Sequence, residues 1–394
     1  MLNVGIIGGG VGGLSAGMML RSIGCKVKIF EKRKKDSAAG VGIQISANGV
    51  RALRPFGLED KISELADFPL CIDLINGKTG KKLGTIPLGN EAQKLYGAGF
   101  FQFLRKDLIS LLRKENLSRG VVILYENKVL DIHQDLNGVR VSTSKGEYDN
   151  FDLVVAADGI NSVVRRQVFG NPSANFLKQV AYRTVISAQD LPREFASEKT
   201  RLFLGKGKHV VSYPIRKGRL VNLVFCLDYD SYCDENWDQD SNLKEIREKF
   251  SDFILLKKVF DTNEVVKKWG LFEHNSINTW HKNRVVLLGD ACHPILPYLA
   301  QGATQAIEDA FELSIRIQKS FKNHDLGKEL KNYTKNRAPR VEKVRNASKL
   351  NARLFHLKNP ISAFFFHLLL RLVSNMYPKI LLKRFSWIYS GGPA

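Results

Sequence analysis

A glycine cluster near the N-terminus limits the possible folds of this chain more than any other feature. Gly8 to Gly13, with the sequence GGGVGG, follows the apolar run Val4 to Ile7 and precedes Leu14 to Ile23, where apolar residues recur at helical spacing. A second apolar run, Cys25 to Phe30, ends next to Glu31. Strand, tight turn, helix and strand in this order form a βαβ unit, which is parallel and right-handed.

The spacing G-x-G-x-x-G at this turn predicts a dinucleotide site. Gly8 permits the tight turn, Gly10 lets the backbone approach a pyrophosphate, and Gly13 allows close helix packing. The helix N-terminus adds amide donors and a partial positive charge, and Glu31 is placed to accept a hydrogen bond from a ribose hydroxyl. NAD and FAD both fit this pattern, so it does not choose the cofactor.

Two later apolar runs have the character of buried parallel strands. Phe151 to Ala157 is followed by Asp158, and Arg284 to Leu288 is followed by Gly289 and Asp290. Together with the first strand of the βαβ unit, these strands are predicted to deliver their carboxyl ends to one crevice.

The same two segments carry a family resemblance. FDLVVAADG (Phe151 to Gly159), followed by Arg165, and RVVLLGDACHP (Arg284 to Pro294) resemble the paired signatures of group A FAD-dependent aromatic hydroxylases, as does Arg105 in LRKDL. The stretch His293 to Ala303 looks most like the salicylate hydroxylase and 3-hydroxybenzoate 6-hydroxylase branch. The resemblance covers the first ~315 residues and implies FAD as the bound cofactor, in a fold like that of para-hydroxybenzoate hydroxylase.

The resemblance also implies roles for single residues. Asp290 would hold the ribityl chain of FAD, and Arg105 would contact its ribityl and phosphate region. Asp158 and Gly159 would lie near the flavin and the groove for the reduced nicotinamide. For Asp158 a turn or helix cap is the structural alternative, and an ion pair with Arg165 is another. Further cofactor contacts are predicted for Leu14, Lys32, Val129, Gly302, Ala303 and Thr304.

The segment after Asp290 indicates a flavin contact independently of the resemblance. Pro294 and Pro297 stiffen a loop, and a long helix from Gly302 to Lys319 then begins where it can face the flavin. Free amides at that helix start would stabilise the negative charge of reduced flavin. The alternative for Gly302 is a simple loop glycine.

The substrate side is predicted from strand alternation. His209, Val211 and Tyr213 share one face of a strand. If that face lines the cavity, His209 can deprotonate a phenol while Tyr213 orients the ring; the alternative for His209 is a hydrogen-bonded structural histidine. His293 is predicted to fix its loop without chemistry. The predicted substrate pocket comprises Val211, Pro294 and Pro297.

These patterns predict an α/β fold with a Rossmann-like FAD-binding domain of the glutathione-reductase type, an inserted, mostly antiparallel β substrate domain and a helical C-terminus. The FAD-binding domain takes residues 1–170 and 281–320, and the substrate domain takes 171–280 with a contribution from 70–100. The C-terminal helical region is 321–394, in which Arg340 to Leu357 is predicted as one helix. The predicted substrate-domain strands are Val180 to Ser187, Arg201 to Leu204, Val210 to Ile215 and Leu220 to Leu227, with a hairpin turn at Lys217-Gly218.

The activity implied by the resemblance is a monooxygenase reaction on a small phenolic carboxylate, similar to salicylate. NADH or NADPH is a transient co-substrate, O2 is the oxidant, and a C4a-hydroperoxyflavin delivers the oxygen. The predicted partner is therefore a small aromatic molecule, and no metal is implied. Two alternatives stay open: a prenylated phenol or other lipid-like ring at a membrane surface, and a non-catalytic flavin-binding protein.

Composition sets further limits. The net charge of +21 favours anionic partners, but the basic residues are spread along the chain and not interleaved with aromatic ones, which argues against nucleic acid. Five cysteines without a C-x-x-C pair argue against disulfides and zinc and favour the cytoplasm.

The C-terminal stretch Ile361 to Val373 is nearly all apolar and is followed by Lys379, Lys383 and Arg384. It is too short to span a bilayer and is predicted to pack on the substrate domain. An interfacial helix or a dimer contact is the alternative, so the chain is expected to be a monomer or a homodimer.

Overall fold

A computed structural model describes residues 1–35, 40–170, 174–231, 239–241, 243–262 and 265–392. The strands are β1 (Asn3–Ile7), β2 (Lys26–Phe30), β3 (Gly42–Ile45), β4 (Cys71–Asn76), β5 (Lys82–Pro87), β6 (Phe101–Leu104), β7 (Val122–Leu124), β8 (Val129–Gln134), β9 (Val139–Thr143), β10 (Gly146–Phe151), β11 (Leu153–Ala156), β12 (Asn175–Ser187), β13 (Lys199–Gly205), β14 (Lys208–Ile215), β15 (Leu220–Asp228), β16 (Gln239–Ser241), β17 (Val266–Glu273), β18 (His281–Lys282) and β19 (Val285–Leu287). The α-helices are α1 (Val11–Ser22), α2 (Ala47–Leu53), α3 (Glu59–Leu65), α4 (Gly89–Tyr96), α5 (Arg105–Ser118), α6 (Val163–Phe169), α7 (Leu243–Phe250), α8 (Gly302–Asn323), α9 (Leu326–Phe355), α10 (Pro360–Met376), α11 (Pro378–Lys383) and α12 (Ser386–Tyr389).

The first sheet contains the predicted βαβ unit. Its strand order is β18-β19-β11-β1-β2-β7, and all neighbours are parallel except the short antiparallel edge strand β18. Ile7 lies opposite Ala156, and Ala156 lies opposite Leu287, so β1, β11 and β19 end at the same edge. These strands are buried on both faces, because α1 packs on one side and β10, with Tyr148 and Phe151 against Phe30, packs on the other. The predicted convergence of three strand ends is confirmed.

The second large sheet has the order β16-β17-β12-β15-β14-β13-β4-β5. All neighbours are antiparallel except β4 and β13, which are parallel. The strands β4 and β5 come from residues 71–87, so this sheet combines two distant parts of the chain. One face packs on α7 and on the 3-10 helix Ile254–Asp261, while the other face looks toward the first sheet's strand ends.

The predicted hairpin turn between β14 and β15 is confirmed. Ile215 pairs with Leu220, and Lys217 and Gly218 both have positive φ (58° and 72°). The carboxylate of Asp67 accepts hydrogen bonds from both of their backbone amides at 2.8 Å, which offsets the strain of this loop.

Two small sheets complete the β structure. The antiparallel pair β3 and β6 lies between the large sheets, and β8, β9 and β10 form an antiparallel meander beside the first sheet.

The C-terminal helices differ from the prediction mainly at the start of α9, while α8 ends at Asn323 and α9 at Phe355, within four residues of the predicted ends. A helix beginning at Arg340 was expected after Pro339, but α9 begins at Leu326, where the Asp325 carboxylate caps the Lys328 amide at 2.8 Å. Pro339 therefore lies inside the helix. Buried ion pairs between Arg337 and α8 fasten this part of α9 and outweigh the cost of the missing proline hydrogen bond. In the described part of the chain, no helix is long and apolar enough to cross a membrane.

Candidate active site

One continuous cavity of about 610 Å³ extends from the glycine turn after β1 to the inner face of the second sheet. It brings together most of the predicted site. Predicted residues that line it are Gly8, Gly10, Leu14, Glu31, Lys32, Arg105, Val129, Asp158, Gly159, His209, Val211, Tyr213, Asp290, Pro297, Gly302 and Ala303. Gly13, Pro294 and Thr304 do not line it.

Each of these three exceptions has a structural reason. A Cβ at Gly13 would lie 1.9 Å from the carbonyl oxygen of Gly8, so Gly13 lets α1 pack on the turn. Thr304 is the third residue of α8, and its hydroxyl faces Ser46 at 3.3 Å, in the core. Pro294 is buried behind the loop that carries Pro297 to the cavity.

The glycine turn has the shape that a pyrophosphate needs. Gly8 has φ +103°, and a Cβ there would lie 2.3 Å from the Ala157 carbonyl oxygen, so only glycine fits. At Gly10 a Cβ would meet nothing within 4 Å, which shows that its cavity side is open. The first amides of α1 have no acceptor within the helix and can bind an anion there.

Glu31 is held rigidly at the end of β2. Its carboxylate accepts hydrogen bonds from the amides of Gly9 at 2.6 Å and Arg33 at 2.8 Å. A carboxylate has about four acceptor sites, so two remain for the hydroxyls of a ribose.

Asp290 and Arg105, which carry opposite charges, both line the cavity. Asp290 lies in the 3-10 turn Gly289–Ala291 directly after β19, and Arg105 begins α5. Burial raises the pKa of Asp290, while His293 and Arg105 oppose that shift. Burial and the nearby Arg183 lower the pKa of Arg105, while Asp290 opposes. The site thus offers an acceptor for sugar hydroxyls and a cation for phosphate.

The two carboxylate oxygens of Asp158 have different surroundings. One carboxylate oxygen, Oδ2, accepts a hydrogen bond from the Val163 amide at 2.9 Å and so helps to cap α6. The other oxygen, Oδ1, is buried and receives no hydrogen bond from the described residues. Burial raises the pKa of this carboxyl group. The cap interpretation is therefore supported, and Oδ1 stays available to a ligand.

The alternative ion pair between Asp158 and Arg165 is wrong. Arg165 is buried and donates to the carbonyl oxygens of Ala291 (3.2 Å), Cys292 (2.6 Å) and Asn275 (2.9 Å). It therefore holds the turn that carries Asp290. The sequence pattern misled here because Arg165 follows Asp158 closely in the chain, while its guanidinium binds carbonyl groups of Asn275, Ala291 and Cys292.

His293 fixes the same turn, as predicted from its position. Its Nε2 atom lies 2.6 Å from Oδ2 of Asp309, and its ring packs at a tilt against Trp280 with centroids 4.8 Å apart. Burial would raise the pKa of Asp309, but His293 and Arg337 outweigh it and hold that pKa at about 2.

The substrate face of β14 lies as the alternation predicts. His209, Val211 and Tyr213 all line the cavity, and Val211 belongs to the apolar wall. Burial raises the pKa of Tyr213 strongly, so its phenol stays protonated and can donate a hydrogen bond. Burial and the neighbouring His356 lower the pKa of His209 well below its usual value, so its imidazole rests neutral.

His209 belongs to a buried chain of hydrogen bonds. Its Nδ1 atom lies 2.8 Å from Nε2 of His356, and Nδ1 of His356 lies 2.7 Å from Oδ1 of Asp228. Lys358 reaches the second oxygen of Asp228 at 2.7 Å. The Asp228 carboxylate can only accept, so Nδ1 of His356 donates to it; in the tautomer with an unprotonated Nε2, His356 accepts from Nδ1 of His209. This arrangement leaves Nε2 of His209 as a hydrogen-bond acceptor.

The sequence analysis did not identify His356, Asp228 or Arg183 as site residues. His356 lies 147 residues from His209, and no motif links them. Arg183 lines the cavity from β12, with its guanidinium 4.9 Å from the centroid of Trp269. A charged residue near the centre of the predicted strand Val180 to Ser187 (VAYRTVIS) was the available signal for Arg183.

The sequence profile of a family described as FAD binding domain matches residues 1–348. Among curated relatives, 6-hydroxynicotinate 3-monooxygenase of Pseudomonas fluorescens is 31% identical over 373 residues, covering 92% of this chain and 94% of its own. The 3-hydroxybenzoate 6-hydroxylase of Polaromonas naphthalenivorans is 30% identical over 358 residues, covering 90% and 88%.

Solved structures agree on the fold. A salicylate hydroxylase substrate complex has a TM-score of 0.77 at 22% identity and covers 100% of this chain and 98% of its own. Klebsiella pneumoniae HpxO, complexed with FAD and uric acid, has a TM-score of 0.85 at 21% identity and covers 100% and 97%.

The chain belongs to this FAD-binding family. The predicted fold class and FAD as its cofactor are confirmed. The predicted enzyme class, an FAD-dependent aromatic-ring monooxygenase that uses NAD(P)H and O2, is confirmed as well.

Proposed function

We propose that this enzyme hydroxylates a small phenolic ring with His209 as the base that removes the phenol proton. The observation that carries this proposal is that His209 lines the same cavity as the predicted FAD-binding residues and is hydrogen-bonded through His356 to Asp228. One oxygen atom of O2 replaces a ring hydrogen as hydroxyl. The other oxygen atom is reduced to water, for which NAD(P)H supplies a hydride and the solvent supplies a proton.

The electrostatics of the hydrogen-bonded series His209, His356 and Asp228 favour removal of the phenol proton. An ionised phenol is more electron-rich and is attacked more readily by an electrophilic oxygen. When Nε2 of His209 takes the proton, the imidazolium would be buried, with only 2% of the residue exposed. The carboxylate of Asp228 stabilises that charge through His356, because it ends the hydrogen-bonded chain.

The remaining cavity groups orient the ring. The Tyr213 hydroxyl donates to the phenol oxygen, and Val211 and Pro297 pack on the ring. Arg183 is the cation best placed for a substrate carboxylate, because its buried Nε–H group finds no hydrogen-bond acceptor among the described residues. We therefore favour a phenolic carboxylate similar to salicylate.

FAD would be held by the open face of the glycine turn, by Glu31 at a ribose, and by Arg105 and Asp290 at the phosphate and ribityl groups. When bound, FAD supplies the redox and oxygen chemistry. The start of α8 presents the amides of Gly302 and Ala303 to the cavity, where they would stabilise negative charge on the reduced ring.

We also propose the predicted domain division, with the second sheet as the substrate domain. The cytoplasm is our proposed location, because the described cysteines are free thiols and NAD(P)H is required. The proposed oligomeric state is a monomer or homodimer.

Phenol ionisation on binding tests this function directly. We expect the ultraviolet difference spectrum of bound salicylate or a hydroxybenzoate to show the phenolate near neutral pH in the FAD-loaded enzyme. His209→Gln should shift phenolate formation to higher pH. Tyr213→Phe should weaken substrate binding but leave phenolate formation near neutral pH, because His209 is still present. Equal ionisation in the wild type and His209→Gln would remove His209 from the proton step.

A further inference from the structure

The C-terminal helices α10 and α11 present an apolar surface to solvent. Along one side of α10, the following turn and α11, nine large apolar side chains are each between 41% and 67% exposed. They are Ile361, Phe364, Phe365, Leu368, Leu369, Leu372, Met376, Tyr377 and Ile380. We call these nine residues the C-terminal apolar face. Contiguous exposed apolar surface of this kind marks an interaction site.

The prediction that this stretch packs on the substrate domain is therefore only half correct. Leu370 and Ser374 are buried against the second sheet, where the Ser374 hydroxyl accepts from the Thr85 amide at 2.7 Å. The opposite side of α10 has no covering element among the described residues. Its apolar residues recur at steps of three and four, which keeps them on one side of the helix.

The C-terminal segment that carries this face has basic side chains and no acidic ones. From Lys343 to Ala394 the sequence holds nine lysines and arginines and no aspartate or glutamate. Lys358, Arg371, Lys379 and Lys383 are exposed around α10 and α11. Lys379 pairs with Glu91 at 3.0 Å and Lys358 with Asp228 at 2.7 Å, so basic charge remains in excess beside the face. Exposed cations beside an apolar helix face are the pattern of helices that lie in the interface of an anionic membrane.

The inner side of the same helices belongs to the active-site cavity. Phe366 and Leu370 of α10 and Leu381 and Leu382 of α11 line the cavity that also contains His209. Phe366, Leu370 and Leu381 pack with Val211, a neighbour of His209 along β14, in one apolar cluster. The surface that faces solvent and the wall of the cavity are therefore two sides of one helical layer.

We propose that the C-terminal apolar face docks on the surface of an anionic lipid bilayer and that the enzyme takes from it a phenolic carboxylate whose ring also carries an apolar tail. The tail lies along Phe366, Leu370 and Leu381 while the ring reaches His209. The substrate part rests on the proposed function, whereas docking does not. A second copy of the chain is a poorer occupant, because two such faces would bring basic surfaces together.

Vesicle flotation of the full FAD-loaded chain tests docking. Vesicles of phosphatidylcholine with phosphatidylglycerol should carry the protein upward at low salt, and phosphatidylcholine alone should bind about tenfold less. The double variant Phe364→Ser/Phe365→Ser should bind anionic vesicles at least about tenfold less, since two rings no longer insert. Leu136→Ser is the matched control, because Leu136 is 95% exposed on the β8–β9 turn and should leave binding unchanged.

Two results would overturn docking. One is wild-type protein that stays at the bottom with anionic vesicles. The other is a dimer that Phe364→Ser/Phe365→Ser dissociates in sedimentation velocity, without any vesicle binding.

Turnover assays distinguish the docking proposal from the proposed hydroxylation. Turnover of a phenolic carboxylate with a long alkyl tail, presented in vesicles, should fall about tenfold in Phe364→Ser/Phe365→Ser, while FAD content and turnover of a short soluble phenol stay at wild-type values. Equal turnover of the tailed substrate in both proteins would refute the apolar-tail substrate. Failure of every phenol in both proteins would refute the proposed function and leave the vesicle result standing.

Discussion

Replacing Asp228 with asparagine should slow ring hydroxylation without removing FAD. Asp228 ends the hydrogen-bonded chain from His209 through His356, at 2.8 Å and 2.7 Å, and lies outside the FAD-binding residues. Burial would raise the pKa of Asp228, but its bonds to His356 and Lys358 outweigh it and lower that pKa. The carboxylate is therefore charged throughout the working pH range.

The magnitude follows from charge and distance. Two hydrogen bonds and one imidazole ring separate the Asp228 carboxylate from His209 by roughly 8 Å, which at an effective dielectric constant of about 20 gives about 2 kcal/mol. The Asp228 side chain is 25% exposed, so solvent screening lowers the effect to about 1–2 kcal/mol. That range corresponds to a rate loss of roughly 5- to 30-fold. The new amide can also donate to His356 and place the proton on Nε2 of His209.

The assay is the amount of hydroxylated product formed per NAD(P)H oxidised, measured across pH with FAD-loaded protein. Asp228→Asn should form less product per NAD(P)H, and its product rate should recover as pH rises and the phenol ionises unaided. Asp252→Asn is the control, since Asp252 forms a more exposed ion pair with Lys208, next to His209 on β14. An unchanged product rate in Asp228→Asn at every pH would refute the proton chain.

Further predictions concern the cofactor, the base and acid stability. Glu31→Ala should lower FAD affinity by about tenfold through the loss of a charged hydrogen bond, seen as flavin absorbance lost on gel filtration; full retention would count against the ribose contact. His209→Phe should keep FAD yet lower product per NAD(P)H by about 10²-fold, and unchanged coupling would exclude a base role. Gly13→Ala should yield little folded protein, because its Cβ would lie 1.9 Å from the Gly8 oxygen, and wild-type yield and melting temperature would contradict this. The pKa of Asp309 is lowered to about 2 in the folded protein, so its carboxylate stabilises the folded state above pH ~4, and this stabilisation is lost as pH falls toward 2. Thermal melts should show this acid loss, and it should be smaller in Asp309→Asn.

Sequence patterns were strongest where backbone geometry leaves few choices. The turn from Gly8 to Gly13 admits only residues without a Cβ at two positions, so its role was readable directly. The strands that end at Asp158 and Asp290 were found because buried parallel strands are continuous apolar runs. Alternation along β14 placed His209 and Tyr213 on the cavity face for the same kind of local reason.

What the sequence did not reveal depends on contacts between distant segments. His356 and Asp228 join His209 only because α9 ends against the second sheet, and no local pattern encodes that approach. Pro339 suggested a helix start, but tertiary ion pairs on α8 outweighed its local preference. The exposure of the C-terminal apolar face was also hidden, because periodicity gives one apolar side and does not tell what covers it.

The most direct test of the central claim is a reaction under ¹⁸O2 with FAD-loaded protein, NADH or NADPH, and a panel of phenols, with products identified by mass. The panel should contain salicylate, hydroxybenzoates, hydroxynicotinates and alkylphenols in vesicles. An aromatic monooxygenase with this site should place one ¹⁸O atom in the ring of at least one phenol, in proportion to the NAD(P)H consumed. NAD(P)H oxidation that yields only hydrogen peroxide with every phenol, and no labelled ring, would contradict the proposed reaction.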